Sequence, residues 1–288
     1  MAKTGKSTIV PTMLEAAAKD EVRIHPLRRN ISMIEGSGGN MTVLAGRDGK
    51  LLVDSGYTVS KAKVSAVLSS LDTKPITRLL NTHWHADHTD GNAWVHETGA
   101  SIIAHANTKK HLSVATRVEG WEWTFPAAPD GALPATTFDD RHEFRQNDTS
   151  IEMQYYGPAH TDSDVYVFYE EANVLHVADT WWNGIFPFID YSTGGNIDGM
   201  IRAMERNVTL GDENTIVVPG HGPTGSTKDM KEYLDMLATI RGNVARLKER
   251  GKSVDETIAE HPTSVCDAKF GQFLIDPAFF TVLVYQGV

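Results

Sequence analysis

The stretch Leu79–Asn92 constrains the fold and chemistry of this chain more than any other, because it places four metal-competent side chains within six residues. Its sequence, LLNTHWHADHTDGN, predicts the end of a strand, a tight loop and a helix that begins near Thr89. The four side chains are His83, His85, Asp87 and His88. In a loop at a strand end all four can turn toward one point, and imidazole and carboxylate suit zinc and similar divalent ions. Burying them without a metal would cost several desolvations, so the pattern predicts a metal site.

Composition narrows the class of protein. The 288 residues are enough for a sizeable core, and the net charge of −10 without a long basic run argues against a nucleic-acid partner. A single cysteine, Cys266, rules out an internal disulfide and a cysteine-rich zinc site. No apolar run approaches the ~20 residues of a membrane helix, and the N-terminus has no signal-like apolar stretch. We therefore expect a cytoplasmic protein with a small-molecule substrate and no membrane partner.

The chain order predicts one large domain. Residues 1–22 are expected to form a loose arm with a short helix at 13–19, and residues 23–288 a single domain with a C-terminal helical tail. The β-rich, α, β-rich, α order suggests two similar halves packed as a sandwich. Hydrophobic periodicity predicts strands at 31–34, 41–44, 51–56, 101–104, 151–156, 165–169, 174–178 and 215–218, and helices at 59–71, 89–98, 107–116, 197–207, 226–250 and 254–260.

Residues 117–147 lack such periodicity and are predicted to be one long loop. Long loops within compact domains are often functional. The segment contains Trp121 and Trp123, which either line a substrate mouth or form a packed cover over the core. The sequence favours neither alternative.

Three further metal-competent residues follow apolar strands. His160 comes just past one predicted strand, Asp179 ends another, and His221 follows Ile216–Gly220. Each has an ordinary explanation alone, as a turn residue, a helix cap or a loop residue beside glycines. In layered α/β folds, however, sites gather at the carboxyl edge of the sheet, so one shared site explains all of them better than separate coincidences do.

This residue set resembles the metallo-β-lactamase-fold hydrolase superfamily. The resemblance runs from about residue 31 to 223 and rests on the HxHxDH motif at 83–88, followed by His160, Asp179 and His221. It implies an α/β fold, the four-layer αββα sandwich, with two Zn²⁺ ions at one edge of the sheets. His83, His85 and His160 would hold the first ion, Asp87, His88 and His221 the second, and Asp179 would bridge them. Asp54 would fix the orientation of a ligand histidine without binding metal.

The resemblance also implies the chemistry. Two zinc ions sharing a water or hydroxide lower its pKa and polarise the substrate carbonyl, while Asp87 orients the nucleophile and shuttles a proton. We expect hydrolysis that opens a cyclic amide or ester, a β-lactam or lactone, with weak, promiscuous β-lactamase activity as one form. The lysine with which many β-lactamases of the family hold a substrate carboxylate is absent after Asp179.

The aromatic stretch after Asp179 is expected to wall the substrate pocket, with core packing as the open alternative. Its candidate pocket residues are Trp181, Trp182, Asn183, Phe186 and Tyr191. Asn183 or Tyr191 could also donate to the oxyanion. Two other functions stay open. One is a glyoxalase II-like thioesterase or a persulfide dioxygenase with a single iron, although no counterpart of the glutathione-binding helical domain is evident. The other is a metal-binding protein without turnover.

Overall fold

Two β-sheets lie face to face in the structure, a computed structural model that describes residues 8–288. Within that range the strands in chain order are β1 (Arg23–Pro26), β2 (Ile31–Glu35), β3 (Met41–Leu44), β4 (Lys50–Val53), β5 (Ile76–Asn81), β6 (Ser101–His105), β7 (Thr116–Val118), β8 (Trp123–Phe125), β9 (Thr136–Phe138), β10 (Arg141–Gln146), β11 (Thr149–Tyr155), β12 (Val165–Tyr169), β13 (Val174–Trp182) and β14 (Ile216–His221). The helices are α1 (Ile9–Lys19), α2 (Lys61–Leu71), α3 (Ala86–Thr89), α4 (Asn92–Glu97), α5 (Ala106–Leu112), α6 (Ile197–Leu210), α7 (Thr227–Glu249), α8 (Val254–Ala259), α9 (Ser264–Phe270) and α10 (Pro277–Gln286).

The first sheet has the order β1-β2-β3-β4-β5-β6-β9 and the second the order β10-β11-β12-β13-β14, while β7 and β8 form a separate hairpin. The first sheet is antiparallel from β1 to β4 and parallel from β4 to β9. In the second sheet only the β13–β14 pair is parallel among the described strands. Parallel neighbours bring their carboxyl ends to the same edge. There the candidate ligands follow β5 and β11, lie near the end of β13 and end β14, and Asp54 follows β4.

Alternation along the strands builds the four layers. In β4, Leu51 and Val53 pack between the sheets, whereas Leu52 faces the helices of the first half. In β14, Val218 lies between the sheets and Val217 packs with the outer helices. Successive strand residues point to opposite faces, so each sheet buries one face on the other sheet and one under helices. The structure is therefore an αββα sandwich, as the sequence predicted.

Several local predictions were wrong. Residues 117–147 are not one loop: they contain β7 and β8, strand β9 at the edge of the first sheet, and strand β10. The short helix expected at 13–19 is present as α1, but it begins at Ile9 and is not part of a loose arm, since Ile9 and Val10 are buried in the core; residues 1–7 lie outside the described residues. The predicted strand 174–178 continues to residue 182, so Asp179 lies within β13 and does not end it. The motif helix begins at Ala86, three residues earlier than expected.

None of the helices in residues 8–288 has both the length and the apolar character that crossing a bilayer requires. The cytoplasmic location stays a prediction.

Candidate metal centre

The motif loop places its ligands through a short strand-to-helix connection. Strand β5 ends at Asn81, and α3 begins at Ala86, so His83 and His85 lie in the loop while Asp87 and His88 occupy the first helical turn. Asp54 anchors the start of this loop: its carboxylate accepts hydrogen bonds from the Thr82 backbone N–H at 2.8 Å and from the Thr82 hydroxyl at 2.7 Å. The four motif side chains are all at most 2% exposed.

All seven predicted ligands meet at this edge. Their ligand atoms form three groups in which each atom lies within 4.8 Å of the others. The groups are His83, His85 and His160; Asp87, His88 and His221; and His83, His88 and Asp179. The first two groups coincide with the ligand sets that the resemblance implied, and the third contains the residue expected to bridge them.

Asp179 lies between the two groups. Its Oδ2 is 3.4 Å from His160 Nε2 on one side and 3.4 Å from His221 Nε2 on the other. Its Oδ1 is 3.1 Å from His88 Nε2, but this approach lacks hydrogen-bond geometry, and both atoms are buried without a hydrogen-bond partner among the described residues. A buried carboxylate and imidazole in that state are costly unless another group satisfies them.

The histidine orientations fit a metal centre. One ring nitrogen of each of three histidines faces an acceptor: His88 Nδ1 is 2.8 Å from Asp54 Oδ2, His85 Nε2 is 3.1 Å from Asp190 Oδ2, and His160 Nδ1 is 2.8 Å from the Phe188 carbonyl oxygen. Such contacts fix the tautomer and orientation of metal-binding histidines. The other nitrogen of each ring therefore points into the cluster with its lone pair.

Two of those inward nitrogens are very close together. His85 Nδ1 and His160 Nε2 are 2.9 Å apart, although both histidines already face an acceptor through their other nitrogen. Two nitrogen lone pairs at this distance repel each other unless a cation or a proton lies near both. The donor set, two imidazole-rich groups with shared carboxylates, is the set that zinc and similar divalent ions bind.

The pKa shifts divide the cluster into two kinds of histidine. Burial and the neighbouring His88 lower the pKa of His83 well below its usual value, and burial lowers the pKa of His160 to about 4 despite nearby Asp179. These two rings are neutral near pH 7, as metal ligation requires. His88 and His221 behave differently. Burial alone would lower their pKa values, but Asp179 and Asp87 outweigh it, raising the pKa of His88 well above the usual value and that of His221 to about 9.

The carboxylates respond in the opposite direction. Burial would raise the pKa of Asp87 and Asp179, but His88 and His221 hold both values well below the usual range. The cluster therefore contains two ionised carboxylates whose charge must be balanced locally. Protons on two histidines do this when only protein charges are present, and divalent cations would replace those protons.

The predicted pocket residues occupy different places. Trp182 lies beside His221, with ring centroids 4.3 Å apart, and lines a cleft that opens at this histidine. Trp121 packs on His85, at 4.8 Å, and on Phe188. Trp181 and Phe186 are in the hydrophobic core, the alternative that the sequence left open. Trp123 lies in the β7–β8 hairpin and is partly buried.

Both candidate oxyanion donors have other hydrogen-bond partners, although only Asn183 uses its donor group in that contact. The Asn183 side-chain amide donates to the Pro223 carbonyl at 2.8 Å, and the Tyr191 hydroxyl accepts from the Ile197 backbone N–H at 3.3 Å. Their roles toward substrate stay predictions.

Two contributors were missed from the sequence. Asp190 is fully buried and holds His85, and its pKa is lowered because the His85 contact outweighs the effect of burial. Asn40 donates through its side-chain amide to the carbonyls of Pro219 and Gly222, which flank His221. Asn40 follows a glycine-rich loop between β2 and β3, and nothing in the sequence linked that loop to His221. Asp190 lies 105 residues from His85, so no local motif could have identified it.

Comparison with known proteins identifies the family. A sequence model described as the metallo-beta-lactamase superfamily matches residues 34–240, well over half of the chain. The chain belongs to the metallo-β-lactamase superfamily. This confirms the resemblance, and with it the expectation of a fold shared by metal-dependent hydrolases and related enzymes.

Solved structures show the same superfamily fold. The chain resembles a metallo-beta-lactamase from Pontibacter korlensis, with 17% identity, a TM-score of 0.61 and coverage of 75% of this chain and 99% of that one. It resembles the DIM-1 metallo-beta-lactamase at 22% identity and a TM-score of 0.60, covering 76% and 98%. The inverting sec-alkylsulfatase Pisa1 from Pseudomonas sp. matches at 15% identity and a TM-score of 0.69, over 98% of this chain and 54% of that chain.

A curated relative matches by sequence. The 2,4-dinitroanisole O-demethylase subunit alpha from Nocardioides sp. (strain JS1661) is 26% identical over 163 residues. The match covers 55% of this chain and 46% of the relative, so this chain spans less than half the length of that protein.

Proposed function

We propose that this superfamily member is a dinuclear zinc hydrolase that opens a cyclic amide or ester of a small molecule. The observation that carries the proposal is Asp179, whose carboxylate lies between two groups of inward-facing ligand atoms. A single-metal site would need only one of those groups. His83, His85 and His160 would hold one ion, and Asp87, His88 and His221 the other.

The reaction adds water across an acyl bond. The carbon–nitrogen or carbon–oxygen bond breaks, the water oxygen joins the acyl carbon, and the leaving atom receives a proton. Bound zinc ions supply an acidified water near neutral pH and polarise the substrate carbonyl. His88 and His221 hold the pKa of Asp87 well below the usual value, so its carboxylate is ionised and would accept a hydrogen bond that orients the attacking water. In this proposal Asp87 would also pass the proton of that water to the leaving atom. Asp54 and Asp190 hold ligand histidines in place.

A second candidate is hydrolysis of an aryl ether. Two observations favour it. The sequence relative is named 2,4-dinitroanisole O-demethylase subunit alpha, and aromatic side chains lie near the ligands. The same residues would hold the metal ions. Water would add across a carbon–oxygen bond of the ether, which breaks to give a phenol and an alcohol.

Metal content and turnover test the proposal together. Protein purified without added metal is analysed for zinc and iron, then assayed with nitrocefin, a series of lactones, a thioester and an aryl methyl ether, alongside the Asp179→Ala variant. About two zinc ions per chain, with lactam or lactone turnover that falls at least a hundredfold in the variant, is the expected result. If only the thioester or only the ether were hydrolysed, the substrate class would be that compound's class and not a cyclic amide or ester.

The remaining outcomes overturn the proposal. One iron per chain without hydrolysis would indicate the persulfide dioxygenase alternative. Bound metal with no turnover of any compound would indicate a metal-binding protein. Absence of metal even after zinc addition would mean that the ligand set does not bind metal ions.

A further inference from the structure

An apolar cleft opens beside the candidate metal centre. It has a volume of about 210 Å³, and His221 and Trp182 form the wall nearest the ligands. The opposite walls come from one face of α1, including Met13, Ala16 and Ala17, and from Phe273 and Leu274 after α9. Neither α1 nor the segment after α9 supplies a candidate metal ligand, so these walls have no part in the ligand arrangement described above.

We propose that this cleft binds the non-reacting apolar part of the substrate, an aryl ring or an alkyl chain of about six to eight carbons. This inference rests on the proposed function for the reacting end. The size is set by volume, since an apolar cavity of about 150 Å³ accommodates benzene. The cleft is therefore large enough for a phenyl group with a short extension or for a folded medium-length chain.

Two features of the walls support an apolar occupant next to a polar reacting group. His221 is the most exposed of the seven ligands, with 12% of its side chain accessible, so the cleft reaches the metal centre through it. Phe273 is 54% exposed, and an apolar ligand in the cleft would cover part of its ring.

The charges around the entrance favour an uncharged substrate. A wider, polar cavity shares His221 and Phe273 with the cleft and is lined by Asp20, Glu21 and Glu35. Arg23, which also lines it, is 3.1 Å from Glu21 and 4.0 Å from Glu35, so its charge is already offset. None of the described residues lining the apolar cleft is a lysine or arginine. A substrate anion would be repelled by the carboxylates at this entrance and would find no lysine or arginine inside the cleft.

Substitutions on two sides of α1 separate the effect of filling the cleft from the effect of adding bulk to the helix. Ala16 is exposed and faces it, whereas Ala18 is exposed on another side of the same helix and does not line it. Ala16→Phe would fill the cleft, and Ala18→Phe adds the same bulk elsewhere. Both positions are at the surface, so neither change creates a core clash, and equal melting temperatures and metal contents would verify this.

The kinetic arm uses 4-nitrophenyl esters from acetate to decanoate. In the wild type and Ala18→Phe, kcat/KM should rise about three- to fourfold per methylene and level off near six to eight carbons. In Ala16→Phe this dependence should be lost. Ester turnover that ignores chain length in the wild type, or the same profile in both variants, would overturn the inference and leave the proposed hydrolase intact.

The binding arm does not depend on turnover. Benzyl alcohol and hexan-1-ol are titrated into the three proteins and followed by saturation-transfer NMR. Binding by the wild type and Ala18→Phe that weakens at least tenfold in Ala16→Phe supports the cleft even if no ester is hydrolysed, in which case the proposed function alone has failed. Equal binding by all three proteins, or none, would refute the cleft assignment.

Discussion

Asp54 Oδ2 lies 2.8 Å from His88 Nδ1, and both side chains are completely buried. Asp54 follows β4 with a φ of +61°, a left-handed conformation that asparagine and aspartate adopt more readily than most residues. The carboxylate therefore orients one ligand of the second group from a neighbouring strand end. Asp190 does the same for His85 in the first group, at 3.1 Å.

These two carboxylates should control the two metal ions separately. Asp54→Asn keeps the shape and the tolerance for positive φ but removes the charge facing His88, so affinity for the second ion should fall about 10- to 100-fold. Asp190→Asn should weaken the first ion by a similar factor. Competition with a chromophoric chelator measures both affinities. Equal loss of both ions in each variant would contradict separate control.

Gly220 should be intolerant of any side chain. A Cβ atom at this position would lie 1.9 Å from Asp179 Oδ1 and 2.7 Å from the Ala178 carbonyl carbon, and the backbone contact cannot relax by rotamer change. We expect Gly220→Ala to lower the free energy of unfolding by about 2 kcal/mol or more and to displace Asp179 from the ligand groups. Urea unfolding of chelator-treated protein and zinc retention check the two effects.

Gly242→Ala is the matched control for Gly220→Ala. Gly242 lies inside α7, where the nearest atom to an added Cβ would be the end of the Arg246 side chain at 3.4 Å. Because glycine disfavours helix interiors, this substitution should raise the free energy of unfolding by about 0.5–1 kcal/mol and leave zinc retention unchanged. Comparable destabilisation by both substitutions would show that the contact at Asp179 is not the cause.

The rule that sites gather at the carboxyl ends of strands predicted which residues would meet, because this rule depends only on the direction of the chain in a sheet. His83, His160 and His221 follow or end strands whose carboxyl ends share an edge, so a pattern of apolar runs was enough to bring them together. The sandwich itself followed from the alternation of strands and helices. These features are local in sequence or repeat along it, which is why they could be predicted.

The features that the sequence did not predict depend on contacts between distant segments of the chain. Strand β10, RHEFRQ, is mostly polar because it is an edge strand, so its hydrophobic pattern is weak. Its turn at Asn147 and Asp148, both at positive φ, was the available signal for a hairpin. In β13 the register shifts around Ala178, which has a φ of +45°, so the strand could not be read through to Trp182. Asp190 was found only through its contact with His85.

Glu171 provides a pH-dependent test of stability away from the metal ligands. Burial opposes its ionisation, but hydrogen bonds from the Ser150 backbone N–H, the Ser150 hydroxyl and Arg145 together outweigh burial and lower the pKa of Glu171 to about 2. A depressed folded-state pKa stabilises the protein above the ordinary value of 4.5 and loses that contribution as the pH falls toward 2.

Glu171→Gln should therefore lower the free energy of unfolding by about 1 kcal/mol at pH 7. The effect is this small because the side chain is 28% exposed and solvent screens its charge. The difference from wild type should shrink as the pH is lowered below 4.5. Urea titrations between pH 7 and 3 measure it, with the exposed neighbour Glu170→Gln as control. A difference that stays constant across this range would exclude an ionic contribution from Glu171.

Trp181 and Trp182 are adjacent in β13, but substitutions at the two positions should affect different properties of the protein. Both are buried in the same hydrophobic cluster, but their neighbours differ: the Trp181 ring would lie 2.6 Å from a Cβ at Gly225, whereas Trp182 packs on His221 and lines the cleft. Trp181→Ala should cost about 3–5 kcal/mol of unfolding free energy, mainly from the cavity it leaves. Trp182→Phe keeps an aromatic ring and should change KM for apolar esters severalfold while zinc content stays the same. Chemical denaturation and chain-length kinetics on both variants separate the two roles. If the Trp181 variant were stable and its substrate specificity changed, Trp181 would be a pocket residue after all.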